Sequence, residues 1–454
     1  VLQLFDTASQ KTKELRPRKP GIIGLYVCGP TVYGPAHVGH GRAVLTYDIL
    51  RRYLEFRGFE VHHVANITDI DDKIINLANA EGRSWEDVAQ HWEEQWWSTM
   101  DALGALRPVE TPHATEYVDK MVELISSLVI KGFAYASADG VYLRAGLVPD
   151  YGLLSHQSIE DRRAGARVEL DENKESPVDF ALWKLAKPGE PTWPSPWGDG
   201  RPGWHTECVV MSLALLGEDF ELHGGGQDLI FPHHDNERAQ AVADDHLFAR
   251  HWMHNGLVTV AGEKMSKSLN NFTTLRQLLE YGDARSYRLL VLGAHYRSPI
   301  EVNPTTIGAA ASALSRIDAL VRRLDGAEPS NAENATSQAD LLHQRFIALM
   351  DNDLDTPGAI AEIFESVRRA NSLVDGGELG AAATIAQAVG ELLGALGIEI
   401  GVEIEGDDES DALVAKRDAA RANRDFATSD AIRVSLEDRG WIVEDTPTGT
   451  RIHR

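Results

Sequence analysis

Two cysteines, a histidine pair, a histidine–carboxylate pair and a lysine pair are the residues whose types and spacing can do chemistry. Cys28 and Cys208 are the only cysteines in 454 residues. Too far apart for a disulfide framework, they leave two readings open: thiols used for chemistry, or small buried apolar side chains. In His37-Val38-Gly39-His40 the two imidazoles are three apart, so on a helix they share a face and can donate hydrogen bonds to oxygens that gain charge during phosphoryl chemistry. Gly39 removes a side chain where a flat base could lie against the backbone. Lys264-Met265-Ser266-Lys267-Ser268 sets two lysines in a small polar loop, as mobile point charges able to close over a departing triphosphate. His233 and Glu237, four apart, project from one helix face as a common pair of metal ligands. Each motif alone has a plainer reading: incidental histidines near a helix start, a solvated basic loop, a polar helix cap.

The elements around these residues narrow the choice. Ile22 to Cys28 is an apolar run followed by a Gly-Pro loop, and Leu45, Ile49, Tyr53 and Phe56 then recur at helical spacing. Gly58 stops that helix and Val61 to Ile67 reads as a second strand, so the first 70 or so residues predict the β-α-β start of a doubly wound parallel sheet. Ligands in such sheets sit at the C-terminal ends of strands, where Cys28 and Asn66-Ile67-Thr68-Asp69 fall. The HVGH helix start, with unpaired N–H groups and a positive dipole end, suits phosphate. Cys28, Cys208, His233 and Glu237 together form a tetrahedral sulfur, nitrogen and oxygen donor set that suits zinc in an active site rather than in a zinc ribbon.

Bulk properties set the frame. The length predicts two to four domains. With 43% hydrophobic and 25% charged residues the chain is globular rather than disordered. Val1 to Asp6 lacks the pattern of a signal peptide and no run is long enough for a membrane span, so a cytoplasmic location without membrane contact is expected. A net charge of -25 argues against a polyanion partner in general. The acidity is uneven, however: 402–411 carries six acids and no base, whereas 412–454 carries eight bases against seven acids. Within that end, Arg417, Arg421 and Arg424 predict a basic stripe on one helix, the place for phosphate contact, and Trp441 could stack on a base or pack against the helix above it.

An H-x-G-H at the first helix of a doubly wound sheet, with K-M-S-K-S farther on, resembles the class I aminoacyl-tRNA synthetases. Further stretches resemble the cysteinyl-tRNA synthetases specifically: Tyr26 to Tyr33 (YVCGPTVY), Asn66 to Lys73 (NITDIDDK), Pro202 to Cys208 (PGWHTEC), His223 to Gly226 (HGGG) and Asp228 to His234 (DLIFPHH). The resemblance spans essentially the whole chain. It implies a Rossmann-type catalytic domain that activates L-cysteine with ATP and Mg2+ and transfers it to the 3' end of tRNA(Cys). It implies zinc on Cys28, Cys208, His233 and Glu237, with His37, Gly39, His40, Lys264 and Lys267 serving ATP. Gly29, Thr31, Asn66, Thr68 and Trp204 would line the cysteine and adenylate pocket, and Gly226, Gln227 and Asp228 would lie near the ribose. Zinc binds thiolate, so it would select cysteine over serine and alanine where packing alone yields only about 10- to 200-fold. Two departures are visible: Val38 for the commoner Ile, and Asn270 where the family often has Gly after K-M-S-K-S-L, a turn that Asn tolerates.

The expected organisation is a Rossmann first half (1–115), a connective insertion (116–200), a second half (201–255), a KMSKS and stem-contact region (256–308), a helical bundle (309–401), an acidic linker (402–411) and a small α+β anticodon-binding module (412–454). A monomer is expected from the family. Two rivals share part of the pattern. A mycothiol-pathway cysteine:amino-sugar ligase has the same activating motifs but lacks the terminal module, and a non-catalytic zinc- and nucleotide-binding regulator would not need His37, His40, Lys264 and Lys267 together.

Overall fold

The computed structural model describes residues 1–158, 172–260, 263–264, 274–279, 283–401, 408–437, 439, 441–446 and 449–453. An antiparallel pair, β1 (Gln3–Asp6) and β2 (Lys11–Glu14), precedes β3 (Ile22–Val27), which is buried from Ile23 onward, as a central parallel strand must be. Helix α1 (Val38–Phe56) turns Leu45, Ile49, Leu50 and Leu54 inward, each contributing about 1.5–3 kcal/mol by burial. β4 (Glu60–Ala65) then pairs with β3 in parallel, from Ile22 opposite Glu60 to Val27 opposite Ala65. It ends two residues before the expected Ile67. Beyond Ala65 the backbone turns to other partners: the Ile67 N–H donates to the Pro112 carbonyl and the Thr68 N–H to that of Pro30.

Helices α2 (Asp72–Glu81), α3 (Trp85–Ala102) and α4 (Val118–Ile130) follow. A separate antiparallel sheet comprises β5 (Ala134–Ser137), β6 (Gly140–Leu143), β7 (Phe180–Leu185) and β8 (Gly200–Pro202), in that order. Helix α5 (Trp204–Leu216) returns the chain to the main sheet, which gains β9 (Leu222–Gly226), helix α6 (Asp235–Ala243) and β10 (Trp252–Asn255). The main sheet is wholly parallel with order β10-β9-β3-β4. Strand alternation splits its two faces: Leu25, Val27 and Val61 pack in the core that contains α1, while Tyr26 and Val64 pack with α4 and α5. Helices on both faces make this the doubly wound sheet expected from the sequence.

A small sheet of order β12-β11-β13 follows, from β11 (Val258–Val260), β12 (Glu263–Lys264) and β13 (Ile300–Glu301), with α7 (Leu275–Leu279) and α8 (Ala284–Leu292) between β12 and β13. Four helices, α9 (Pro304–Arg323), α10 (Glu333–Met350), α11 (Thr356–Asp375) and α12 (Leu379–Gly394), pack into the same core as α1. The terminal module is α13 (Asp408–Ala422), α14 (Phe426–Glu437) and the hairpin β14 (Ile442–Thr446) and β15 (Gly449–His453). Its first helix begins inside the stretch expected as an acidic linker, where the carboxylates of Glu409 and Asp411 suit the positive end of a helix. Among the described residues, no helix is long and apolar enough to cross a membrane.

Candidate active site and metal centre

The C-terminal ends of β3, β4 and β9 and the start of α1 enclose a cavity of about 450 Å³. At one end Cys28 follows β3, Cys208 sits in the first turns of α5, His233 precedes α6 and Glu237 lies within it. The sheet therefore gathers four donors that are up to 209 positions apart. Cys28 Sγ lies 3.6 Å from Cys208 Sγ and 3.3 Å from Glu237 Oε1. His233 Nε2 is 3.6 Å from Cys208 Sγ and 3.0 Å from Glu237 Oε1. A tetrahedron with metal–sulfur bonds of about 2.3 Å and metal–nitrogen bonds of about 2.0–2.1 Å has edges of about 3.4–3.8 Å, which the two 3.6 Å separations match and the 3.3 and 3.0 Å ones fall short of by a few tenths of an ångström.

Burial acts on the donors in two ways, opposing free thiolates, so that the sulfurs would ionise with a cation bound, and favouring a neutral imidazole. Burial, then the neighbouring Cys208 and Glu237, pushes the Cys28 thiol well above the usual cysteine range, and burial raises Cys208 as well. Burial holds His233 neutral, the form that ligates. Cys208, His233 and Glu237 are enclosed, whereas Cys28 is half-buried and lines the cavity.

Four histidines around this cluster were not singled out from the sequence. His223 Nε2 lies 2.8 Å from Glu237 Oε2, leaving Oε1 to face the other donors. His205 Nδ1 is 2.8 Å from His233 Nδ1. His234 Nε2 lies 3.3 Å from Cys28 Sγ, and its Nδ1 lies 2.8 Å from His254 Nε2, whose own Nδ1 is 2.7 Å from Thr7 Oγ1. Cys28, Glu237, His223 and His234 thus form a second set of donors within metal-binding distance of one another. Three of the four histidines stand inside motifs legible in the sequence, W-H-T-E-C, H-G-G-G and P-H-H, so their density was the available signal.

Above the cluster, a Cβ at Gly29 would overlap the Asn66 carbonyl, so only glycine fits there. Asn66 Oδ1 accepts from the Gly29 N–H at 2.9 Å and from Tyr26 Oη at 3.2 Å, which fixes the strand ends against each other. Gly29, Thr31, Asn66 and Trp204 line the cavity. Thr68 does not: it is 1% exposed, and its hydroxyl donates to Glu207 Oε2 at 2.7 Å, supporting Asn66 from behind. The Trp204 ring stacks on His233 at 4.2 Å and stays 36% exposed, so it is a cavity wall rather than a core aromatic.

At the other end His37 caps α1, and its ring stacks on that of His40 at 3.5 Å. Each Nδ1 accepts the other residue's backbone N–H, His40 N to His37 Nδ1 at 3.1 Å and His37 N to His40 Nδ1 at 3.2 Å. With Nδ1 committed as acceptor in both neutral rings, the proton resides on Nε2, which makes each imidazole a donor at its outer edge. Gly39, His37 and His40 face Gly226 and Asp228 across the cavity. Gln227 instead borders a neighbouring shallow groove together with Asp228 and Phe231. Lys264 lies on β12 with its backbone opposite Thr259, while Lys267 and Asn270 lie outside the described residues.

The terminal module departs from its expectation. Arg417 is 1% exposed and donates to Asp445 at 2.7 Å and to Thr450 at 2.6 Å. Arg421 pairs with the same Asp445 at 2.5 Å, and Arg424 lies past the end of α13 with a φ of 59°. A continuous basic stripe is therefore not formed: Asp445 engages its first two members, of which Arg417 is buried and Arg421 stays exposed, and Arg424 lies beyond the helix. Trp441 is 3% exposed and packs with Leu436 and Val443, so it belongs to the module's core.

Residues 14–312 match the class I (C) catalytic domain family of tRNA synthetases, and residues 345–401 match the DALR domain family. The chain is similar to cysteine--tRNA ligases over its whole length: 44% identical to that of Brevibacillus brevis, covering 100% of this chain and 99% of the relative. It is 45% identical to that of Alkalilimnicola ehrlichii, covering 100% of both, and 42% identical to that of Thermotoga maritima, covering 99% of both. Among solved structures it resembles Mycobacterium tuberculosis methionyl-tRNA synthetase in complex with methionyl-adenylate, with a TM-score of 0.64 at 14% identity over 83% of this chain and 90% of that one. It also resembles the LeuRS–tRNA–LeuAMS complex of Agrobacterium radiobacter K84, with a TM-score of 0.65 at 13% identity over 85% of each chain. The shared catalytic fold, the matched families and full-length identity above 40% place one conclusion beyond the fold itself: the chain belongs to the cysteine--tRNA ligase family of class I aminoacyl-tRNA synthetases.

Proposed function

We propose that this chain joins L-cysteine to ATP, forming cysteinyl-adenylate and pyrophosphate, and transfers the cysteinyl group to the 3' end of tRNA(Cys), with zinc selecting the thiol. The observation that carries this reading is the placement of two thiols, an imidazole and a carboxylate at one end of a cavity whose other end is the HVGH helix start. Cys28, Cys208, His233 and Glu237 would hold the ion, which when bound supplies a Lewis-acid contact for a soft thiolate. Serine offers a hard, poorly acidic hydroxyl there and alanine offers no donor.

The chain's own groups do the rest. Trp204 walls the amino-acid end, and Asn66 holds Gly29 so that backbone rather than side chain faces the substrate. His37 and His40 donate from Nε2 to the α-phosphate oxygens that gain charge, and the α1 N-terminus adds its dipole. Gly39 and Gly226 leave room for the nucleoside, Asp228 and Gln227 serve the ribose edge, and Lys264 and Lys267 act on the departing pyrophosphate with Mg2+. Residues 1–115 and 201–255 act as the two catalytic halves, and 412–454 as the anticodon-binding module. Cysteine-dependent exchange between ATP and pyrophosphate, followed by charging of tRNA(Cys), tests this assignment. Absence of exchange overturns it, and exchange without charging redirects the second step to another acceptor.

A further inference from the structure

Arg42 sits two residues after His40 on α1, turned to the far side of the helix from it, and is fully buried, at 0% exposure. Burial of such a cation calls for a carboxylate, yet among the described residues none pairs with it. Its Nη2 instead donates to three backbone carbonyls of one loop: Ser298 at 2.6 Å, Tyr296 at 2.9 Å and His295 at 3.4 Å. Among the described residues, Nε and Nη1 have no hydrogen-bond partner. Burial draws the guanidinium down to about 10.

What it holds leads to the strand pair that carries Lys264. The Tyr296 carbonyl that Arg42 engages also accepts the Gly256 N–H at 2.8 Å. A Cβ at Gly256 would lie 2.5 Å from the Ser298 carbonyl and 2.6 Å from that of Arg297, so loop and strand entry are in van der Waals contact. Past the loop, β13 pairs in parallel with β11, Val258 opposite Ile300, and Thr259 of β11 pairs with Lys264 of β12. A second tie lies nearby: Tyr287 Oη on α8 donates to the Val38 carbonyl inside HVGH at 2.6 Å. The Leu275 N–H of α7 donates to the Ala36 carbonyl at 2.8 Å, just before His37.

We infer that Arg42 is a positioning residue for the nucleotide-handling machinery: by gathering the carbonyls of residues 295–298 against α1, it sets the register of the β11–β12 strand pair that carries Lys264 relative to His37 and His40. This rests on the functional reading above. The three carbonyls converge on Nη2 alone, one bond beyond where a lysine ammonium ends, so lysine replaces it only in part. Misplacement of catalytic groups by about 1 Å costs about 10²-fold in rate.

The test uses Arg42→Ala and Arg42→Lys in the full chain loaded with zinc. Arg42→Ala is expected to lower kcat of cysteine-dependent ATP–pyrophosphate exchange by about 10²-fold, with zinc content and KM for cysteine within about twofold of wild type, and ethylguanidinium is expected to restore about tenfold of the loss where ethylammonium does not. Arg42→Lys, which keeps the charge and the fold, is expected to lose about tenfold in kcat at unchanged KM for cysteine. Wild-type kcat in Arg42→Lys, or a loss in Arg42→Ala that guanidinium does not rescue, overturns the inference. A wild-type chain without exchange defeats the functional reading instead, so the two failures are distinguishable.

Discussion

The metal cluster and the terminal module answer the same question differently. In the cluster, donors just past β3, in α5 and around the start of α6 converge because the parallel sheet fixes where those elements begin and end, and the residues that chemistry singled out stand together. In the module, Arg417 and Arg421 do share a helix face, but that face meets the hairpin, and Asp445 takes both guanidiniums. Spacing tells which side chains share a face, not what the face meets. A donor set with one chemical use survives that ignorance, whereas a row of arginines serves phosphate and structural carboxylates equally well.

The comparison can be broken at either end. The largest effect is expected from Cys208→Ser: loss of bound zinc and of most cysteine activation with the fold intact, read by metal analysis and cysteine titration. Retention of both would remove Cys208 from the site. His40→Ala, which deletes one Nε2–H donor and the cap to His37, is expected to lower kcat of exchange by about 10²–10³-fold without changing metal content. His223→Ala frees Glu237 Oε2 and should weaken zinc binding by about 10- to 100-fold, measured by chelator competition.

At the module end, Arg417→Met is expected to leave exchange unchanged while raising amide hydrogen exchange across 408–453. Full protection there would show that the Arg417–Asp445 pair is not what organises the hairpin. A pH effect follows from the same group. Arg417, then Arg421, draws the Asp445 carboxyl down to about 2, below its ordinary value near 3.8. A carboxylate depressed in the folded state stabilises it fully above that ordinary value and loses the contribution as pH falls from about 4 toward 2. Amide protection of the module should fall over that window, and Asp445→Asn should flatten the dependence.

Much of the architecture was legible. The apolar Ile22 to Cys28 run, the α1 periodicity and the helical spacing past residue 309 follow from side-chain period alone, and the structure keeps them. The end of β4 was not legible, since Ile67 and Thr68 leave the sheet for carbonyls of Pro112 and Pro30, contacts distant in sequence. Nor was the depth of Thr68, because a threonine beside Asn66 reads the same whether it faces a substrate or a buried Glu207. The histidines behind the cluster escaped for a related reason: each is unremarkable locally, and only the fold brings His205, His223, His234 and His254 against the metal donors.

The central claim is that the ion held by Cys28, Cys208, His233 and Glu237 recognises the substrate's sulfur. Zinc-edge X-ray absorption of the loaded chain, with and without L-cysteine, tests it most directly. Two sulfur scatterers are expected in the free chain, three with cysteine, and no change with serine. A sulfur count that is unchanged by cysteine would contradict it.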